Sequence, residues 1–250
     1  VGGGVHASAG ADTAPDDASP TVAALSAALL RLPQLPLSEN AVVWRKLLAN
    51  VVVNPVTALV SCANGALAPP LVTAAAPLAA AVGAATGAAA AAILDAAEAE
   101  EAAALARGGA AWLQNAGAGG AEQTVSAAFV RALVREALAV ARTQDVRLFD
   151  PAPVPGAGAA PGATRLALAA ALAAALDAVR VTCERTAGNR SSMRTDVEAG
   201  VAETEIGYLN AQVVEWGRLS GVPTPANAVV VDAIRAIERE NAQKRTKTWV

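Results

Sequence analysis

The chain has 250 residues, 54% of them hydrophobic but only 3% aromatic, so its apolar content is chiefly alanine. Alanine is the strongest helix former and buries little area per residue, which predicts a helical protein with thinly packed stretches. A net charge of −3 from 19 basic and 22 acidic residues provides no basic stripe for nucleic acid or an anionic membrane surface.

A single histidine, His6, gives a histidine metal site or a Ser-His-Asp triad little to draw on. Cys62 and Cys183 fit no metal spacing and no disulfide framework, so a reducing, cytoplasmic setting is expected, an organelle remaining open.

In chain order, residues 1–10 (VGGGVHASAG) read as a strand end or glycine-rich turn, and 11–20 as loop. Residues 21–32 read as a short helix ended by Pro33 and Pro36. Ser38 suits an N-cap, and the breaker-free run after it predicts a long helix over 39–62 with a kink near Pro55. Residues 66–124 are low-complexity Ala/Gly/Pro sequence in which 88–106 has helical propensity. No charge falls between Lys46 and Asp95, yet the alanine, glycine and proline there argue for a soluble segment. Over 125–143 a helix is predicted with Val130, Val134, Leu138 and Ala141 on one stripe and Arg131, Arg135 and Arg142 between them.

A linker over 151–163 then leads to a helix over about 164–186. SSMRTDVEAG reads as a loop or short helix. TEIGYLNAQVVEWGRLSG reads as one amphipathic helix presenting Ile206, Leu209, Val213 and Trp216, with Gly221 beyond its end. Thr224 and Pro225 open a last helix with the stripe Val230, Ile234 and Ile237, and 241–250 reads as a frayed polar tail.

Lys46, Asn50 and Asn54 fall within about an 80° arc of one helix face. Two asparagines inside a helix require a reason, because their amides compete with the backbone. A solvated stripe is the plain reading of these three alone. The chain's other lysines are Lys244 and Lys247, against sixteen arginines. A lysine beside Arg45 in so arginine-rich a chain favours a group that can release a proton. Asn64 in SCANGAL is first of all a turn signal. Asn189 and the two serines, Ser191 and Ser192, could bind an anion or hydroxyl in a loop, while Glu205 lies in the first turn of the next helix, where a carboxylate is favoured whatever its function.

Taken together, these segments resemble a known family. WRKLLANVVVNPVTALVSCANGAL resembles the opening helices of the C-terminal domain of ketopantoate reductases (2-dehydropantoate 2-reductases). NRSSMRTDVEAG, TEIGYLN and GVPTPANAVVVDAI resemble that domain's second block, in the same order. The resemblance covers about 39–67 and 181–237, and 125–143 more loosely. It implies a mainly α fold: a helical domain of the 6-phosphogluconate-dehydrogenase-like type over 39–250, preceded at 1–38 by the end of an α/β Rossmann domain. The Ala/Gly/Pro stretches around 68–124 and 144–165 then read as insertions, which closure entropy tolerates.

The resemblance further implies NADPH-dependent reduction of ketopantoate to D-pantoate, in pantothenate and coenzyme A biosynthesis. By it, Lys46 aligns with the general acid, and Asn50, Asn54 and Asn64 with substrate-contacting amides. Asn189 and Ser192 align with residues at the substrate's carboxylate and hydroxyl end, and Glu205 with an acidic residue near the cofactor's ribose. VAETEI carries one residue more than the family pattern, which makes Glu203 a rival, but the register of TEI on the following helix favours Glu205. The implied partner is a small molecule rather than nucleic acid or membrane, and a homodimer is open.

GxGxxG does not occur, GAGGAE at 117–122 and GAGAAP at 156–161 being linker sequence, so the chain is expected to be a fragment lacking its phosphate-binding loop. Competing expectations are a reductase of another 2-keto acid and a non-catalytic helical module from a truncated gene.

Overall fold

The computed structural model describes residues 37–84, 87–107, 113–114, 124–146, 148–149 and 161–248. The short helix expected over 21–32 and all but the last two residues of the expected Rossmann remnant lie outside them. Among the described residues the chain forms α1 (Leu37–Val60), α2 (Ala68–Val82), α3 (Gly87–Ala106), α4 (Ala127–Thr143), α5 (Pro161–Arg185), α6 (Ser192–Glu198), α7 (Asn210–Ser220) and α8 (Pro225–Thr248). Short 3-10 helices span Asn64–Leu67 and Glu205–Gly207. The described sheet structure is a two-residue antiparallel pair, β1 (Leu113–Gln114) with β2 (Thr124–Val125), Leu113 facing Val125. The protein is mainly α, as its alanine content and the family resemblance both predict.

Helix α4 is the centre of the packing and touches α1, α2, α3, α5, α7 and α8. Its sequence pattern predicts one buried stripe, but twelve of its 17 residues are buried. Helices on every side bury its polar positions as well. Arg131 is 1% exposed. Its guanidinium pairs with Glu101 at 2.7 Å and Glu100 at 2.8 Å and donates to the Ala74 and Ala97 carbonyls. A buried ion pair stabilises only when its remaining donors are satisfied, and these contacts from α2 and α3 satisfy them.

The alanine-rich segments belong to this core. Leu71, Ala74 and Leu78 of α2 and Leu94 of α3 are buried, and α2 lies along α5. Pro69 and Pro70 start α2, where a missing N–H costs nothing. Helix α5 begins at Pro161, inside the segment expected as linker.

The expected helix over 204–220 is two pieces. Thr204 caps the 3-10 turn, its Oγ1 accepting from the Ile206 amide, and α7 starts only at Asn210. Gly221 ends α7 at φ 72°, as predicted. The tail expected to fray is helical to Thr248, because Asn241 donates to the Val201 carbonyl and Glu238 accepts from the Thr204 amide and hydroxyl.

Among the described residues three spans, Asn40–Val60, Asn64–Val82 and Thr164–Arg185, are long and apolar enough to cross a membrane by length and composition alone. In this fold the apolar side of the first is spent on the core, through Trp44, Leu48, Val51, Val52 and Val56.

Candidate functional site

Helix α1 supplies one wall. It runs unbroken past Pro55. Trp44 is fully buried and stacks on Trp216 of α7, ring centroids 5.3 Å apart, which presses one side of α1 into the core. The other side carries Lys46, exposed, and Asn50 and Asn54, half-buried. Lys46 and Asn54 stand about 12 Å apart along the axis, with Asn50 between. Arg45 lies with its guanidinium carbon 5.0 Å from the Phe149 ring centroid, a cation–π contact. Among the described residues no hydrogen bond or ion pair reaches Lys46, which is exposed.

Helix α6 packs directly on α1, and a buried pair of hydroxyls fixes it there. Ser191 caps α6, its Oγ accepting from the Arg194 amide at 3.1 Å. The same Oγ lies 2.7 Å from Thr57 Oγ1 and donates to the Asn54 carbonyl at 3.3 Å. This clasp seats Ser192 over Asn54. Asn54 Nδ2 donates to Glu205 Oε1 at 2.9 Å and to Ser192 Oγ at 3.4 Å, and Ser192 Oγ donates to the same Glu205 oxygen at 2.5 Å. An amide, a hydroxyl and a carboxylate separated by up to 151 positions thus meet at one end of the α1 face.

Asp196, one turn after Ser192, adjoins this cluster. Burial raises its carboxyl above the ordinary 3.8, and the charge of Glu205 and a hydrogen bond shared with it raise it further. Glu203, the rival in sequence, is exposed and outside the cluster.

Asn64 and Asn189 meet differently. The Asn64 amide donates to the Asn189 carbonyl and the Gly65 amide to that of Ala187, both at 3.1 Å. The buried Asn64 side chain turns to Thr186 Oγ1 at 3.0 Å, while its Oδ1 has no partner. Gly65 is required by proximity: a Cβ there would stand 2.8 Å from that of Ala187. The asparagine–glycine pair therefore joins two loops behind the site. Asn189 is exposed at its rim.

Sequence reasoning took Ser191 only as one of two loop serines, and did not single out Thr57, Asp196 or the buried polar chain beneath α1. There Glu136 accepts from the Ala226 amide at 2.9 Å, from the Asn227 amide at 3.0 Å and from Asn227 Nδ2 at 2.8 Å, capping α8 from α4. Asn227 Oδ1 accepts from Asn210 Nδ2 at 3.0 Å, and that same amide donates to the Val51 carbonyl at 2.9 Å. The available signals were polar residues inside apolar runs and a serine doublet ahead of a helix.

The model of the family Ketopantoate reductase PanE/ApbA C terminal matches residues 40–111 and 109–238, which takes in every wall of this site. The chain belongs to this family. Over 53 residues it is 47% identical to a 2-dehydropantoate 2-reductase of Pyrobaculum aerophilum, a match covering 21% of this chain and 19% of that protein. The chain therefore matches about a fifth of that relative's length. No solved structure matches it.

The family implies a nicotinamide cofactor, and the described residues fit one end of it. The Glu205 carboxylate, held by Asn54 and Ser192, is the acceptor that a ribose hydroxyl needs.

Proposed function

We propose that this chain forms the substrate-binding half of an NADPH-dependent reductase converting ketopantoate (2-dehydropantoate) to D-pantoate, in pantothenate and coenzyme A biosynthesis. The observation that carries the reading is the convergence of Asn54, Ser192 and Glu205 on the α1 face that holds Lys46 and Asn50.

When bound, the reduced nicotinamide supplies a hydride. Lys46 donates a hydrogen bond to the keto oxygen, stabilises the charge that grows there and then gives it a proton, which water returns. Asn50, midway along the face, holds the same oxygen or the lysine. Ser192 and Asn189 fix the substrate's hydroxyl and carboxylate, Asn64 holds the loop that carries Asn189 rather than meeting the substrate itself, and Glu205 takes a ribose hydroxyl. The 12 Å reach from Lys46 to Asn54, about eight residues of helix, suits a substrate and part of a cofactor lying side by side.

In this reading 1–38 is the end of the nucleotide-binding domain, and 39–250 is the helical domain with inserted stretches around 68–124 and 144–165. The partner is a small molecule in the cytoplasm, without nucleic acid or membrane.

The 250 residues alone are expected to oxidise NADPH poorly. Turnover with ketopantoate at the rate of a complete reductase refutes that expectation. Joined to a dinucleotide-binding domain, the chain should lose about 10²–10⁴-fold in kcat on Lys46→Ala. A loss below about fivefold removes Lys46 from the acid's role. A substrate panel in which another 2-keto acid outruns ketopantoate corrects the substrate and keeps the chemistry.

A further inference from the structure

Proline inside a helix leaves a specific vacancy. It has no N–H, so the carbonyl four residues earlier loses its partner. In α1 that carbonyl belongs to Val51, in the turn between Asn50 and Asn54. A buried carbonyl without a donor is costly and weakens the helix where it occurs.

The donor comes from another helix. Asn210 opens α7, is 0% exposed and places Nδ2 2.9 Å from the Val51 oxygen, 159 residues away in sequence. We propose that Asn210 is a positioning residue: its side-chain amide replaces the backbone hydrogen bond that Pro55 removes, and so sets the half of α1 bearing Lys46 and Asn50 against the half bearing Asn54. The inference rests on the reading of this face as a reductase site.

The polar chain behind Asn210 dictates which way its amide points. Glu136 faces two backbone N–H groups, of Ala226 and Asn227, and therefore accepts. Asn227 accordingly turns Nδ2 to Glu136, and to the Leu133 carbonyl at 3.3 Å, leaving Oδ1 for its neighbour. Asn210 must then present its NH2 group, one hydrogen to Asn227 and the other to Val51. Its own Oδ1 accepts nothing from the described residues, so what the fold uses here is the donor.

The lever is short but sufficient. Lys46 lies five residues before Val51, about 7.5 Å along the axis, so a bend of about 10° there moves it by roughly 1.3 Å. A misplacement of about 1 Å is enough to cost on the order of 10²-fold in rate.

A double-mutant cycle on the whole 250-residue chain tests this, with Asn210→Ala, Pro55→Ala and both together. Pro55→Ala restores the backbone N–H, and Val51 no longer needs the amide. Asn210→Ala should then lower Tm by about 4 °C more in the wild-type background than in the Pro55→Ala background. It should also speed amide exchange over residues 47–51 by about tenfold more than over the middle of α4, showing local rather than global loosening.

Equal Tm losses in the two backgrounds, or exchange that rises uniformly, overturn the proposal. If Asn210→Ala does not fold, a folded double variant supports the proposal and an unfolded one overturns it. Calorimetric titration with ketopantoate separates the two claims. No binding by the unmodified chain sinks the functional reading and leaves the cycle to decide the role of Asn210 in α1. Binding that Asn210→Ala leaves unchanged overturns the positioning role.

Discussion

Replacing Glu136 by alanine is the most severe single test of how this fold is held. The carboxylate accepts from three buried donors, at 2.9, 3.0 and 2.8 Å, two of them backbone amides in the first turn of α8. Each buried donor left unmatched costs roughly 1–3 kcal/mol, and water entering the gap recovers part of that. The expected loss is about 3–6 kcal/mol, a large share of the roughly 5–15 kcal/mol that stabilises a typical domain.

Glu136→Gln keeps the shape but turns an NH2 group toward donors, so it should cost about 1–3 kcal/mol. It also removes a titration. Burial, outweighing the hydrogen bonds and the nearby Arg135, raises the folded carboxyl above its ordinary 4.5. A raised acid favours folding most below its unfolded value, and the benefit fades as pH climbs through the folded value. The stability margin of the wild type over Glu136→Gln should therefore shrink as pH rises from 4 through the raised value. Urea titrations at a series of pH values measure both effects. A loss under about 1 kcal/mol for Glu136→Ala, or a margin that widens with pH, refutes the reasoning.

Two further outcomes follow from close packing. Gly65→Ala puts a methyl 2.8 Å from the Ala187 Cβ and 3.2 Å from its carbonyl oxygen, so one of the two loops must move. The cost is about 1–3 kcal/mol in thermal denaturation, and an unchanged Tm contradicts the contact. Cys183 is fully buried, and burial first, with Cys62 and Glu184 adding to it, pushes its thiol up to about 12. Folded protein at pH 8 should leave Cys183 unalkylated by mass spectrometry while denatured protein reacts at once; rapid labelling of the folded form speaks against that burial.

Much of α1 was legible because the apolar run meets no breaker before Pro55; 39–62 was expected with a kink there, and Leu37–Val60 forms as one helix. Gly221 and Pro225 likewise mark the α7–α8 turn by local backbone chemistry. Arg131 was misleading, since periodicity assumes that a helix has a wet face, and α4 is enclosed by its neighbours. Alanine-rich 68–82 looked like filler, yet small side chains are what allow α2 to lie close along α5.

At the candidate site, spacing alone put Lys46, Asn50 and Asn54 on one face of α1, because 3.6 residues per turn is a property of any helix. The expectation that the chain is mainly α also followed from composition and motif. The register of TEI on the following helix already favoured Glu205 over Glu203; tertiary structure alone brought that carboxylate to Asn54 and Ser192. It alone also matched Asn210 to the carbonyl that Pro55 leaves open. Hydrogen bonds spanning 151 and 159 positions depend on how helices dock, and no local pattern in a sequence records that.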